Sequence, residues 1–181
     1  AHVLGGARAT RIPAYVSGLP RATLDERVAL AREWIARGYR AVKYAGAVSA
    51  SVVDEMHALR AALGADVDLM VDLHWRYSAD EAIGVAHRMA GDRPYFIEAP
   101  VAPEDVTGLV SVAANANVPV AAGEEWHNVY EAALRLERAK LAFVQPEMAH
   151  TGVSQFVAIA DRAACAGAAT IPHATIGVGI F

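Results

Sequence analysis

Acidic and basic side chains recur in this sequence at positions that could share one site. Asp72, Glu98 and Glu124 each follow a short apolar run: Leu69-Met70-Val71-Asp72, Tyr95-Phe96-Ile97-Glu98 and Val120-Ala121-Ala122-Gly123-Glu124. Their spacing is constant, 26 residues from 72 to 98 and 26 from 98 to 124. One such acid alone would often just cap the helix that follows it. Three in register point to a common site. Three carboxylates brought together repel, and burial would raise their pKa values. A divalent cation removes that cost, and hard oxygen donors with no Cys among them favour Mg²⁺ over Zn²⁺. The series continues with Gln145-Pro146-Glu147 and Ile171-Pro172-His173, where Glu147 and His173 are again 26 residues apart. A carboxylate beside a histidine orients the imidazole and raises its basicity, which suits a general base near neutral pH. Lys43 ends the run Ala41-Val42-Lys43, where an ammonium is costly to bury unless paired. Pointing inward, it could meet a substrate carboxylate and the acidic residues. His74 stands two residues after Asp72, on the same face if the strand continues, and could act as a general acid. Tyr15, Trp75, Arg76, Trp126 and His150 lie near the ends of the same runs and are candidates for substrate contacts.

The elements that must position these residues alternate along the chain. Short apolar runs at Ile12–Ser17, Ala41–Tyr44, Val67–Asp72, Tyr95–Glu98, Val118–Ala122, Ala142–Gln145 and Ala169–Pro172 read as strands buried on both faces of a parallel sheet. By strand alternation Tyr44 should face away from Lys43. Helical patterns lie between the strands. Thr23-Leu24-Asp25-Glu26 is a capping box opening a helix towards Gly38. Other helices are expected from Ser49, Ala79, Pro103, Asn128 and Gly152 onwards, several ending near Gly64, Gly91 or Gly167. This gives seven βα-like units, the last without its helix. Such alternation makes either a doubly wound sheet or a (β/α)8 barrel. No GxGxxG turn follows the first strand, which argues against dinucleotide binding. In a barrel, equivalent strand ends line the C-terminal rim, where barrel active sites sit. The fold expected is therefore α/β, a (β/α)8 TIM-type barrel, incomplete at about seven units because complete barrels take ~250 residues.

Composition narrows the function classes. The 181 residues are 55% hydrophobic, so one packed domain spanning 1–181 is expected, with no linker to divide it. A net charge of −4 with scattered Lys and Arg leaves no basic footprint for nucleic acid or an anionic membrane. No apolar run reaches the ~20 residues of a bilayer span. The start, Ala1-His2-Val3-Leu4-Gly5-Gly6, carries no signal-peptide pattern and no initiator Met, which suggests a chain that begins inside a longer one. Cys165 is the single cysteine, so neither an internal disulfide nor a thiolate cluster is expected. It sits in an Ala-rich helical stretch and is expected in the core. A reducing cytoplasm is the default compartment.

With these residues in place, the sequence resembles the enolase superfamily, specifically the mandelate racemase/muconate lactonizing enzyme branch and its acid-sugar dehydratases. The carrying motifs are Ala41-Val42-Lys43, Val71-Asp72-Leu73-His74, Ile97-Glu98-Ala99-Pro100, Ala122-Gly123-Glu124, Val144-Gln145-Pro146-Glu147 and Ile171-Pro172-His173. Their order and spacing together are specific, and they cover the family's C-terminal catalytic barrel, without its capping domain. The resemblance implies a small-molecule carboxylate substrate, a sugar acid, held by Mg²⁺. A base removes the proton α to the carboxylate, and the metal stabilises the enediolate. By match, Asp72, Glu98 and Glu124 are the implied metal ligands, and His173 with Glu147 is the implied base and its partner. His74 matches the histidine that protonates the departing hydroxyl in several sugar-acid dehydratases.

Two departures shape the expected chemistry. The branch often carries Lys-x-Lys on its second strand, whereas this chain has Lys43-Tyr44-Ala45. A racemase needs two opposed bases; β-elimination needs one base and one acid, which His173 and His74 supply. Glu147 stands where the dyad usually has Asp, so its extra methylene must shift the geometry. The leading expectation is a lyase, a Mg²⁺-dependent aldonate or aldarate dehydratase. A cycloisomerase or epimerase of the same family, and a non-catalytic barrel that binds metal or a partner, are the alternatives. A homo-oligomer is expected, since barrels with exposed apolar helices often assemble.

Overall fold

Each expected strand forms, and most are shorter than the apolar run that encodes them. The computed structural model describes residues 6, 10–46, 49 and 51–174. The strands are β1 (Val16–Ser17), β2 (Ala41–Ala45), β3 (Asp68–Asp72), β4 (Phe96–Glu98), β5 (Val120–Ala122), β6 (Phe143–Val144) and β7 (Ala169–Thr170). They form one sheet in sequential order, every neighbouring pair parallel. The helices are α1 (Leu24–Ala36), α2 (Val52–Leu63), α3 (Ala79–Met89), α4 (Val106–Asn115), α5 (Val129–Leu136) and α6 (Met148–Cys165). Sequential parallel order with a helix after each of β1 to β6 is TIM-barrel topology. The seven strands curl into an open barrel.

Strand alternation sorts side chains into two packed layers. Val42, Tyr44, Leu69, Val71, Ile97, Val120, Ala122 and Val144 face outward and pack in one cluster with helix residues such as Met56, Leu59, Val85, Met89, Val112 and Ile159. Met70, Phe96 and Ala121 face inward and form a second, smaller cluster with Tyr15, Ala41, Phe143 and Ile171. Tyr15 precedes β1 and Ile171 follows β7, so contact of both with one inner cluster reports the curl of the sheet. A fully buried Leu, Ile or Met contributes roughly 1.5–3 kcal/mol, so the outer layer anchors the helices firmly. Tyr44 faces outward as alternation requires, and its hydroxyl donates to the Val52 carbonyl at 2.5 Å, tying the start of α2 to β2.

Side-chain caps set the helix starts. Thr23 and Glu26 form the expected capping box on α1, and Ser78 with Glu81 forms another on α3. Asn128 caps α5 by accepting from Tyr130 and Glu131 N–H. Three starts differ from expectation. The helix expected from Ser49 begins at Val52, because Ser51 accepts from Asp54 N–H. The one expected from Pro103 begins at Val106, because Asp105 accepts from Gly108 N–H. The one expected from Gly152 begins at Met148 under a Glu147 cap, and Gly152 itself breaks the helical backbone at φ 65°, ψ 169°. Cys165 is exposed rather than in the core. Ile159 and Ala163 mark the buried face of α6. Two residues beyond Ala163 is about 200° around a helix, on the opposite side. Among the described residues, no helix is long and apolar enough to cross a membrane.

Candidate active site

The strand ends bring together the acids that the spacing singled out, and each carboxylate meets a specific partner. Asp72 and Glu98 are paired in register as the last residues of β3 and β4. Glu98 is fully buried. Its Oε1 lies 2.6 Å from the Lys43 ammonium, and its Oε2 accepts from Gln145 Nε2 at 2.7 Å. Lys43 is itself only 7% exposed at its side chain, so the pair is a buried one. Burial opposes the lysine's charge, but Glu98 and Tyr15 outweigh it and raise the Lys43 pKa above the ordinary value. Lys43 is therefore buried and paired rather than extended to solvent.

Glu124 follows β5 across Gly123, whose φ of +119° only glycine adopts easily. A Cβ at Gly123 would also meet the Trp126 ring at 3.1 Å and the Gln145 nitrogen at 3.3 Å. This tight turn delivers Glu124 to the rim and folds Trp126 back beneath it. Trp126, expected as a substrate contact, is therefore fully buried in the outer apolar core. It presents no surface to a ligand. Glu124 Oε2 lies 3.2 Å from His173 Nε2. Burial, then the charges of Glu98 and Asp72, push the Glu124 carboxyl up to about 8. Burial and Glu98 likewise raise Asp72, with Lys43 opposing.

His173 and Glu147 meet beyond β7 and β6, where their backbones form a parallel bridge. Glu147 Oε2 lies 2.9 Å from His173 Nδ1, and its Oε1 accepts from Ala149 N–H at 3.0 Å. The extra methylene of Glu147 is thus taken up by a carboxylate that caps α6 with one oxygen and reaches the imidazole with the other. With Nδ1 engaged, Nε2 is the ring atom left to take up a proton. It faces Glu124. Lys43 and His173 line a cleft of about 300 Å³ together with Tyr15, Ser17 and Ile171. The Tyr15 ring centroid is 5.8 Å from Lys43 Nζ. A separate, more apolar cavity of about 350 Å³ includes Ala41, Asp68 and Ala169 from the N-terminal strand ends. It contains neither Lys43 nor His173, so the smaller cleft is the chemical one.

The remaining candidates divide. β3 ends at Asp72, where the expected strand ends, so the continuation that would put His74 on the same face does not occur. His74 and Trp75 take left-handed backbones at φ 50° and 59°, and Ala99 after β4 does the same at φ 47°. Non-glycine residues held this way cluster at functional sites. The turn puts His74 N–H on Asp72 Oδ1 at 2.9 Å and leaves the His74 side chain 51% exposed, its Nδ1 3.9 Å from Asp72 Oδ2. The His74 ring stacks on Trp75 at 4.6 Å. Arg76 turns away to the Gly46 carbonyl, donating at 3.0 Å, so it braces the loop after β2. His150 Nδ1 lies 3.0 Å from the Glu124 carbonyl, and its ring stacks on His127 at 5.6 Å. Sequence reasoning missed three residues at the site: Gln145, Ser17 and His127. For Gln145 a signal existed, since a buried amide two residues before Glu147 shares its strand face.

The donor set fits a hard divalent cation. It is three carboxylates with oxygen donors only, two of them held above their usual pKa by burial and mutual repulsion. In this conformation the arms are turned to protein partners. Among the described residues, no three of His, Cys, Asp and Glu are gathered closely enough for a metal ion. Lys43 supplies the compensating positive charge.

A family model described as enolase C-terminal domain-like matches residues 26–180. The chain belongs to this family. As an enolase-like domain it is 35% identical over 134 residues to D-galactonate dehydratase of Ralstonia nicotianae, covering 74% of the chain and 35% of that protein. It is 31% identical over 179 residues to D-galactarolactone cycloisomerase of Agrobacterium fabrum, covering 94% and 47%. Among solved structures, a member of the enolase superfamily from Agrobacterium tumefaciens matches 99% of the chain and 46% of its own, with TM-score 0.94 and 42% identity. A racemase from Streptomyces coelicolor A3(2) with bound magnesium matches 91% and 47%, with TM-score 0.84 and 26% identity. The enolase-like domain thus spans about a third to a half of these relatives' lengths.

Proposed function

We propose that this enolase-like domain serves a Mg²⁺-dependent dehydratase of a sugar acid, removing the proton α to the carboxylate and eliminating water. The observation that carries it is the His173 imidazole, held by Glu147 on one nitrogen, turned towards the acidic rim on the other, and sharing a cleft with Lys43. Asp72, Glu98 and Glu124 would hold the cation, which supplies electrostatic stabilisation of the developing negative charge when bound. Lys43 orients the substrate carboxylate by charge. His173 Nε2 takes the α-proton, and Glu147 stabilises the resulting imidazolium. His74, at the open rim beside Asp72, donates the proton that leaves with the β-hydroxyl as water. Tyr15 and His150 border the substrate. Ala45 in place of a second lysine leaves one strong base, which favours elimination over proton exchange between faces.

Incubation of the protein with Mg²⁺ and a panel of aldonic and aldaric acids should release a 2-keto-3-deoxy acid. His173→Asn should lower turnover by about 10²–10⁴-fold, the usual share of a general base; an unchanged rate would remove His173 from the mechanism. Glu98→Gln should weaken Mg²⁺ binding sharply, and unaltered affinity would refute the cation site. A second reading, a cycloisomerase acting on a sugar-acid lactone, is supported by the match to D-galactarolactone cycloisomerase over 94% of the chain. Turnover of a lactone with no product from any open acid would establish it instead.

A further inference from the structure

We propose that Gln145 is a positioning residue for the cation site: it fixes the Glu98 carboxylate opposite Lys43, and its own carbonyl oxygen accepts a hydrogen bond from a water or hydroxyl that enters when the site is filled. The inference rests on the cation-site reading above and adds a residue that reading does not use.

Three observations carry it. Glu98 is fully buried, so each of its oxygens needs a donor. Lys43 covers Oε1 at 2.6 Å and Gln145 covers Oε2 at 2.7 Å, one from β2 and one from the end of β6, so the carboxylate is gripped from both sides. The second donor is neutral. A cation there would over-neutralise the rim and repel a metal ion, whereas a carboxylate would add a fourth negative charge. An amide satisfies Oε2 while leaving the charge of the acidic set unchanged. The third observation is the other end of the same amide. Gln145 is fully buried, and its Oε1 has no hydrogen-bond partner among the described residues. A buried carbonyl left without a donor forfeits the hydrogen bond it would make in water. Because Nε2 must face Glu98 to donate, Oε1 is fixed on the same amide carbon, two bonds from the donating nitrogen. A ligand water of a bound cation, or a substrate hydroxyl, is the donor chemistry this acceptor suits.

The backbone supports the same assignment. Gln145 N–H donates to the Ala122 carbonyl at 2.9 Å, so the residue is anchored to β5 immediately before Gly123 and Glu124. Gln145 therefore touches two of the three acidic strand ends, Glu98 through its side chain and the Glu124 turn through its backbone.

The test begins with the unsubstituted protein. A magnesium titration is followed by calorimetry and by nuclear magnetic resonance of the ¹⁵N-labelled glutamine side-chain amides. The Gln145 amide signal should be protected from exchange and should move with the same midpoint as the calorimetric binding curve. Gln145→Met, which keeps length and apolar packing, should weaken magnesium binding about 10–100-fold, as loss of a ligand's supporting hydrogen bond does. Gln145→Glu should weaken it at least as much at neutral pH. Manganese in place of magnesium should give an altered electron paramagnetic resonance spectrum in either variant, a change that packing alone would not cause. If the protein binds magnesium but the Gln145 amide does not respond, or if a folded variant binds with unaltered affinity and spectrum, this inference is overturned and the cation site stands. If the protein binds no divalent cation, both are overturned.

Discussion

Replacing Lys43 with Met isolates the charge balance on which the site depends. The Lys43–Glu98 pair is separated by 2.6 Å, with side chains 7% and 0% exposed. At an effective dielectric of about 20 the attraction is about 6 kcal/mol before desolvation is counted. Removing one partner of such a pair typically destabilises by about 3–5 kcal/mol, because the other charge stays buried. Lys43→Met leaves Glu98 with Gln145 as its donor and removes the one charge that lowers the pKa of both Asp72 and Glu124. The metal-free variant should therefore lose about 3–5 kcal/mol. The loss should be largest at high pH, where the carboxylates must ionise. Magnesium should then recover more stability in the variant than in the unsubstituted protein, since no ammonium competes for Glu98. At a hundred times the dissociation constant, binding adds about 2.7 kcal/mol. Urea unfolding at matched pH, with and without magnesium, measures both quantities. An unchanged midpoint in the metal-free variant, or a magnesium increment no larger than that of the unsubstituted protein, would refute the reasoning.

Two further perturbations probe the rim. The Glu124 carboxyl is pushed up to about 8 in the folded protein, far above an unfolded glutamate. The folded state then binds more protons than the unfolded one between those values, so metal-free stability should fall as pH rises from about 4.5 to about 8. Urea midpoints across that range should decline, and Glu124→Gln should flatten the decline; a rise with pH would contradict the assignment. Gly123→Ala places a methyl 3.1 Å from the Trp126 ring at a φ of +119°. It should cost about 1–3 kcal/mol in backbone strain and weaken magnesium binding by displacing Glu124, measured by thermal unfolding and calorimetry.

The sequence carried the strand ends well and the turns poorly, for a physical reason. Strands buried on both faces must be apolar throughout, so Leu69-Met70-Val71 or Phe96-Ile97 announce themselves, and a polar residue ending each run is conspicuous. The repeat of the βα unit, 26 residues at three of the four steps, then places Asp72, Glu98, Glu124, Glu147 and His173 around one rim. The path of the chain beyond each strand depends on backbone angles that residue type states weakly. His74 and Trp75 could extend β3 by pattern, but adopt left-handed angles that no apolar periodicity encodes. Trp126 resembles a rim aromatic in sequence because it comes two residues after Glu124. The Gly123 turn instead sends it into the core. Composition misplaces Cys165, since an Ala-rich helix shows no clear apolar stripe and either face could be the buried one. Gln145 is visible in the sequence but chemically mute until Glu98 is found against it.

The double engagement of Glu147 has a consequence for how this site could drift or be redesigned. Its carboxylate is both the first acceptor of a helix and the anchor of an imidazole. The orientation of His173 is therefore tied to where the chain begins to coil after β6. A change in Met148 or Ala149 that shifts the first turn would rotate the carboxylate and, with it, the axis along which a proton is drawn. The proton-accepting direction is in effect written into the pitch of a helix. Residues that never touch a substrate can tune it by fractions of a turn, while the acidic rim opposite remains as it is.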